Sequence, residues 1–153
     1  MWAFMLRFSL EQVVWQEVPG EVSLAYTITG CTLGCKGCHS TETWDASQGT
    51  MLTDAYFEQR LNQYQSLISC VLFLGGEWHS TELERKLKLA RRHGLHTCLY
   101  TGLDDIEPKL KAELTYLKTG RWLPERGGLD NPNTNQRLVD LRTGHPLNHR
   151  FIR

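Results

Sequence analysis

Four short runs of apolar and β-branched residues, each closed by glycine, constrain this chain more than any other feature. Residues 22–29, VSLAYTIT, run into Gly30. Cys70–Leu74, CVLFL, stops at Gly75-Gly76. Residues 95–101, LHTCLYT, meet Gly102, and TYLKTG, residues 115–120, carries its own glycine. Such runs predict strands, and the unbroken apolar stretch CVLFL suits a parallel strand buried on both faces. Helical patterns lie between them. Phe57, Leu61, Tyr64 and Ile68 recur at helical spacing over residues 54–68, with Thr53 as N-cap. Thr81 and Glu84 form a T-x-x-E capping box ahead of a helix lined by Leu83, Leu87 and Ala90 and closed by Gly94. A short helix near residues 104–108 turns Leu110 and Leu114 inward. The alternation predicts an α/β fold with a mainly parallel sheet. In such sheets ligands sit at the C-terminal ends of the strands. Gly30-Cys31, Gly75-Gly76-Glu77 and Tyr100-Thr101-Gly102 all fall at that edge.

The 153 residues fit one domain, 1–153. Residues 121–153 hold three of the five prolines and form a loop-rich C-terminal segment, with QRLVDL as one last strand. Seventeen basic residues balance seventeen acidic ones, which argues against a nucleic-acid partner. No apolar run approaches the ~20 residues of a membrane span. Arg7 interrupts the apolar start MWAFMLRFSL, so no secretory signal is expected.

Three of the five cysteines, Cys31, Cys35 and Cys38, stand as C-x3-C-x2-C in the stretch TGCTLGCKGCHSTETW, with Gly30, Gly34 and Gly37 among them. An odd number of thiols packed this tightly points to metal or redox chemistry in a reducing cytoplasm rather than to a disulfide framework. Three thiolates on one short loop suit three irons of a 4Fe-4S cluster. A fourth would saturate it, whereas three leave one iron open for an outside ligand. Two other readings remain at this point. One is a zinc site completed by His39 or a remote ligand, although no second Cys-x2-Cys knuckle exists. The other is a redox dithiol of Cys35 and Cys38, which leaves Cys31 unexplained. Cys70 and Cys98 fall inside strands as small buried hydrophobes.

C-x3-C-x2-C after a strand and glycine, with Gly-Gly-Glu closing a later strand, resembles the radical S-adenosylmethionine (SAM) enzymes. More narrowly, EVPGEVSLAYTITGCTLGCKGCHSTETW, LFLGGEW, YTG, LKTGRW and NTNQRLVDL are similar to the activating proteins of anaerobic ribonucleoside-triphosphate reductase. The resemblance covers nearly the whole chain. Gly37 stands where most of the superfamily has an aromatic residue, Ser40 where many activases have Asn, and GGLDNPNTNQ where common members have Arg-Gly-Ser-Ser-Asn-Gln. These departures mark a divergent subgroup.

The resemblance implies a partial, open β/α barrel with mainly parallel strands, since the chain is too short to close eight units. It implies a 4Fe-4S cluster on Cys31, Cys35 and Cys38. It also implies SAM bound by Gly37, Cys38, His39, Gly75, Gly76, Glu77, Tyr100 and Thr101, with no catalytic side chain beyond the cluster and SAM. Glu77 would accept from the SAM ammonium, Tyr100 and Thr101 would meet its ribose or adenine, and Lys118 or Arg121 would face its carboxylate. The implied reaction is reductive cleavage of SAM and formation of a glycyl radical on the reductase, with flavodoxin or ferredoxin as electron donor. Activation of another glycyl-radical enzyme, of the pyruvate formate-lyase type, is the alternative within the superfamily. A non-catalytic zinc-binding module is the alternative outside it. Trp44, Trp78 and Trp122 read either as interface anchors or as loop packing.

Overall fold

The computed structural model describes residues 5–30 and 49–152. Its strands are β1 (Arg7–Val14), β2 (Ser23–Ile28), β3 (Thr50–Met51), β4 (Cys70–Leu74), β5 (His96–Tyr100), β6 (Tyr116–Thr119), β7 (Arg137–Asp140) and β8 (His145–Pro146). The helices are α1 (Asp54–Tyr64), α2 (Ser80–Arg92) and α3 (Pro108–Lys111). All eight described strands share one mixed sheet in the order β3-β1-β2-β4-β5-β6-β7-β8, with β3 and β8 at its edges.

The four glycine-closed runs are its centre. β2, β4, β5 and β6 pair in parallel, as expected. The sheet as a whole is not mainly parallel, however: β1–β2, β1–β3, β6–β7 and β7–β8 are antiparallel. Antiparallel neighbours need only short returns, whereas each parallel step needs a crossover. A short chain therefore widens its sheet cheaply at the edges. β1 escaped the sequence reading because a register shift between Phe8 and Leu10 breaks its alternation.

Period-two alternation splits the core between the two faces of the sheet. Leu24, Tyr26, Val71, Phe73, Leu99 and Leu117 pack under the helices with Phe57, Leu61, Leu83, Leu87 and Leu110. Ala25, Cys70, Leu72, Cys98, Tyr116 and Leu138 pack on the other face with Val14 and Val18. All six residues of β2 are buried, which explains its lack of polar alternation. Cys70 and Cys98 are free thiols inside strands, as expected.

The helix ends differ in part from expectation. Thr53 does cap α1, its hydroxyl accepting from Tyr56 N–H at 3.1 Å. α1 stops at Tyr64, and Ile68 reaches the core from the following turn. The T-x-x-E capping box does not form. A 3-10 turn, Glu77–His79, precedes α2, so Thr81 lies inside the helix and His79 takes the cap position with no side-chain bond.

One buried polar group ties the N-terminal ends of the parallel strands. The Glu21 carboxylate accepts from Ser69 Oγ at 2.6 Å and Tyr116 Oη at 2.6 Å, and lies 2.7 Å from His96 Nδ1. Burial alone would raise its pKa; the bonds from Ser69, Tyr116 and His96 outweigh that and lower it. A lowered carboxylate stabilises the fold above the ordinary glutamate value of about 4.3, and that stability is lost as pH falls through the lowered value. Glu21→Gln is therefore expected to cost about 1–3 kcal/mol at pH 7 and to flatten the loss of stability below about pH 4.5. Urea titrations from pH 3 to 7 read both effects; parallel curves for the two proteins would remove Glu21 from the acid transition.

Candidate functional site

The parallel strands end level with one another. Thr27 pairs with Leu74, Leu74 with Tyr100, and Tyr100 with Lys118, one row across the C-terminal edge of the central sheet. Beyond the row the chain turns on glycines. Gly75, at φ +87°, donates its N–H to the Tyr100 carbonyl at 2.9 Å, and a Cβ there would stand 2.6 Å from the Trp78 ring. Trp78 in turn donates its indole N–H to the Thr29 carbonyl at 3.1 Å. The Gly-Gly-Glu turn is thus fastened to the end of β2, two residues before Cys31. Trp78 is a packing residue of this turn, one of the two roles its sequence allowed. Gly75→Ala combines left-handed strain with that contact and is expected to cost at least about 2 kcal/mol in urea unfolding. A change below about 0.5 kcal/mol would show that the turn yields freely.

This turn delivers Glu77 to the strand edge. Glu77 Oε1 accepts from Thr101 Oγ1 at 2.6 Å, and Thr101 Oγ1 accepts from Leu103 N–H at 3.1 Å. The Leu103 amide fixes the threonine rotor, so the one hydroxyl proton goes to Glu77. Glu77 Oε2 is buried and has no hydrogen-bond partner among the described residues. Burial pushes the Glu77 carboxyl above the usual range, and the Thr101 bond, the residue's own backbone N–H and the Lys118 charge offset this only in part. A buried carboxylate with one oxygen satisfied and the other open is complementary to a hydrogen-bond donor, above all a cationic one.

The residues named from sequence separate into three groups. Gly75, Gly76, Glu77 and Thr101 meet at this edge, with the Thr101 hydroxyl committed to Glu77. Tyr100 turns to the face away from the helices, where its hydroxyl donates to the Glu17 carbonyl and the Lys118 ammonium stands 5.4 Å over its ring. There it lines a cavity of about 890 Å3 with Gln16, Lys118, Leu129, Gln136 and Phe151. Cys31, Cys35, Gly37, Cys38 and His39, together with Ser40 and Trp44, lie outside the described residues. Among the described residues no three His, Cys, Asp or Glu side chains group to hold a metal ion. No described helix is long and apolar enough to cross a membrane.

The C-terminal segment adds a neighbour that the sequence reading left without a role. The backbone of Asn135 and Gln136 closes on Gly120 at the end of β6, where a Cβ would lie 3.0 Å from the Asn135 carbonyl oxygen. The motif NTNQ was the only signal for it.

Comparison with known proteins gives a family match. The model of a family described as a 4Fe-4S single cluster domain covers residues 18–110, more than half of the chain. The matched span takes in C-x3-C-x2-C, Gly75-Gly76-Glu77 and Thr101. No curated protein matches the chain.

Proposed function

This chain belongs to the family of 4Fe-4S single cluster domains, and from that premise we propose that it is a radical SAM activase acting on anaerobic ribonucleoside-triphosphate reductase. An iron–sulfur cofactor follows from the family; SAM, the reaction and the partner are the proposal. The observation that carries it is Glu77. Its buried, unpartnered Oε2 stands at the end of β4, the parallel neighbour of the strand that leads into Cys31. That position suits the amino group of a ligand held between the cysteine loop and the Gly-Gly-Glu turn.

Cys31, Cys35 and Cys38 would hold three irons and leave the fourth open to SAM. Bound together, cluster and SAM would supply one-electron reductive chemistry at the sulfonium, strong enough to take hydrogen from a glycine Cα. The protein's own part is placement. Thr101 holds Glu77 Oε1 and thereby aims Oε2 at the SAM amino group. Gly75 and Gly76 let the backbone come close to the methionine half. Lys118 brings positive charge beneath the same edge.

The parallel strands β2, β4, β5 and β6, with α1, α2 and α3 on one face, support an open barrel of the radical SAM type. On the face opposite α1, α2 and α3, the cavity of about 890 Å3 gives room for a glycine-bearing loop of the reductase. Flavodoxin or ferredoxin would supply the electron, in the cytoplasm. Anaerobic incubation of the reconstituted protein with reductase, dithionite and SAM tests the proposal. A glycyl doublet in the paramagnetic resonance spectrum is expected. A reconstituted cluster that leaves SAM intact and gives no doublet refutes it.

A further inference from the structure

Three buried side-chain atoms among the described residues lack a hydrogen-bond partner: Ser23 Oγ, Glu77 Oε2 and Asn135 Oδ1. Ser23 opens β2, at the far end of the sheet from the candidate site. The other two share its C-terminal edge. A continuous path joins them. Glu77 bonds Thr101, Thr101 bonds Leu103 N–H, the Leu103 carbonyl accepts from Gly120 N–H at 2.9 Å, and Gly120 lies against the Asn135 backbone.

The amide of Asn135 has a defined orientation. Its Nδ2 donates to the Arg121 carbonyl at 3.2 Å. A flip would set oxygen against oxygen there, so the unpartnered atom is the acceptor. Leaving such an atom buried and unmatched costs about 1–3 kcal/mol, a cost that native proteins rarely carry without cause. Ligand binding removes it. The occupant must offer donors to two acceptors. One acceptor is a carboxylate that prefers a cationic amine. The other is a neutral amide oxygen that suits a hydroxyl or an exocyclic amine. Two to three inter-strand steps separate them, roughly 10–15 Å. An amino acid alone does not span that; an amino acid joined to a nucleoside does.

Resting on the SAM reading above, we propose that Asn135 is the second anchor of the same ligand and accepts a hydrogen bond from the 2′-hydroxyl or the adenine amine of its nucleoside half. Glu77 then fixes the amino-acid end and Asn135 the nucleoside end, and the Asn-Gln segment acquires a role in the site. It also supplies a side-chain contact to the nucleoside in a chain whose Gly37 offers no aromatic ring.

Binding of S-adenosylhomocysteine to the anaerobically reconstituted full chain, read by calorimetry, tests this without turnover. Three ligands are compared on the unaltered protein and on Asn135→Ala: the parent compound, its 2′-deoxy analogue and its inosine analogue. The unaltered protein is expected to bind one of the two analogues about three- to tenfold more weakly than the parent. Asn135→Ala is expected to bind that analogue and the parent alike. The 2′-deoxy analogue assigns the donor to the ribose hydroxyl, the inosine analogue to the adenine amine. The ratio within each protein does not depend on the fraction folded, so partial unfolding of the variant does not imitate the result. If the ratios are the same in both proteins, the Asn135 contact is overturned. If Glu77→Gln weakens binding in that same experiment, the SAM reading still stands. If the unaltered protein binds none of the three, both fall.

Discussion

Cys35→Ala, purified anaerobically and reconstituted with iron and sulfide, is expected to be colourless and unable to cleave SAM. The unaltered chain should be brown, with about four irons. Cys70→Ala and Cys98→Ala should keep the colour. The contrast follows from the chemistry of the thiol, since the thiolate is the metal ligand. Burial pushes the Cys70 thiol up to about 12 and the Cys98 thiol also well above its ordinary value, so both stay protonated inside their strands. Iron and sulfide analysis of the three variants reads the outcome. A brown, SAM-cleaving Cys35→Ala protein would remove the cysteine loop from the mechanism. A colourless protein holding one tight zinc would return the loop to a structural metal site.

Glu77→Gln carries the second large effect, and it moves affinity and stability in opposite directions. The Thr101 hydroxyl needs an acceptor, so the new amide oxygen takes the Oε1 position and its NH2 group replaces Oε2. A donor then faces the amino group of the ligand. Loss of a charge-assisted bond worth about 1.5–3 kcal/mol weakens SAM binding by about 10- to 150-fold. The ligand-free protein should gain stability. A carboxyl whose pKa is raised on folding stabilises the folded state only in its neutral form, so it loses ground as pH rises from the unfolded value through the folded one. At pH 8 the unaltered protein bears that loss and the glutamine variant does not; near pH 4 the difference should vanish. Melting temperatures at the two pH values, with SAM titrations beside them, test both halves. Unchanged affinity would dismiss Glu77 as a ligand contact. Lowered stability at pH 8 would mean that its ionised form is matched within the protein.

Much of this site was legible in the residues because its signals are local. A run such as CVLFL closed by two glycines identifies a buried strand and its turn within eight positions, and β4 ends at Leu74 as read. Thr53 ahead of a helical pattern marks a cap for the same reason. The expected capping box at Thr81 failed because the turn that fastens Trp78 to Thr29 decides where α2 begins, a contact across 49 positions. β1 and β3 depend on pairing partners rather than on their own patterns.

The amino-acid sequence by itself determined the four parallel strands, the cysteine spacing and the presence of Gly-Gly-Glu at a strand end. Periodicity, glycine and thiol spacing act over a few residues and need no partner. Only the tertiary structure decided that Thr101, 24 positions away, saturates one oxygen of Glu77 and leaves the other open. It alone brought Asn135 onto Gly120, from beyond the residues that define the family. Hydrogen-bond satisfaction in a buried site is a property of neighbours in space, and the chain sets those neighbours only once the sheet has aligned its strand ends.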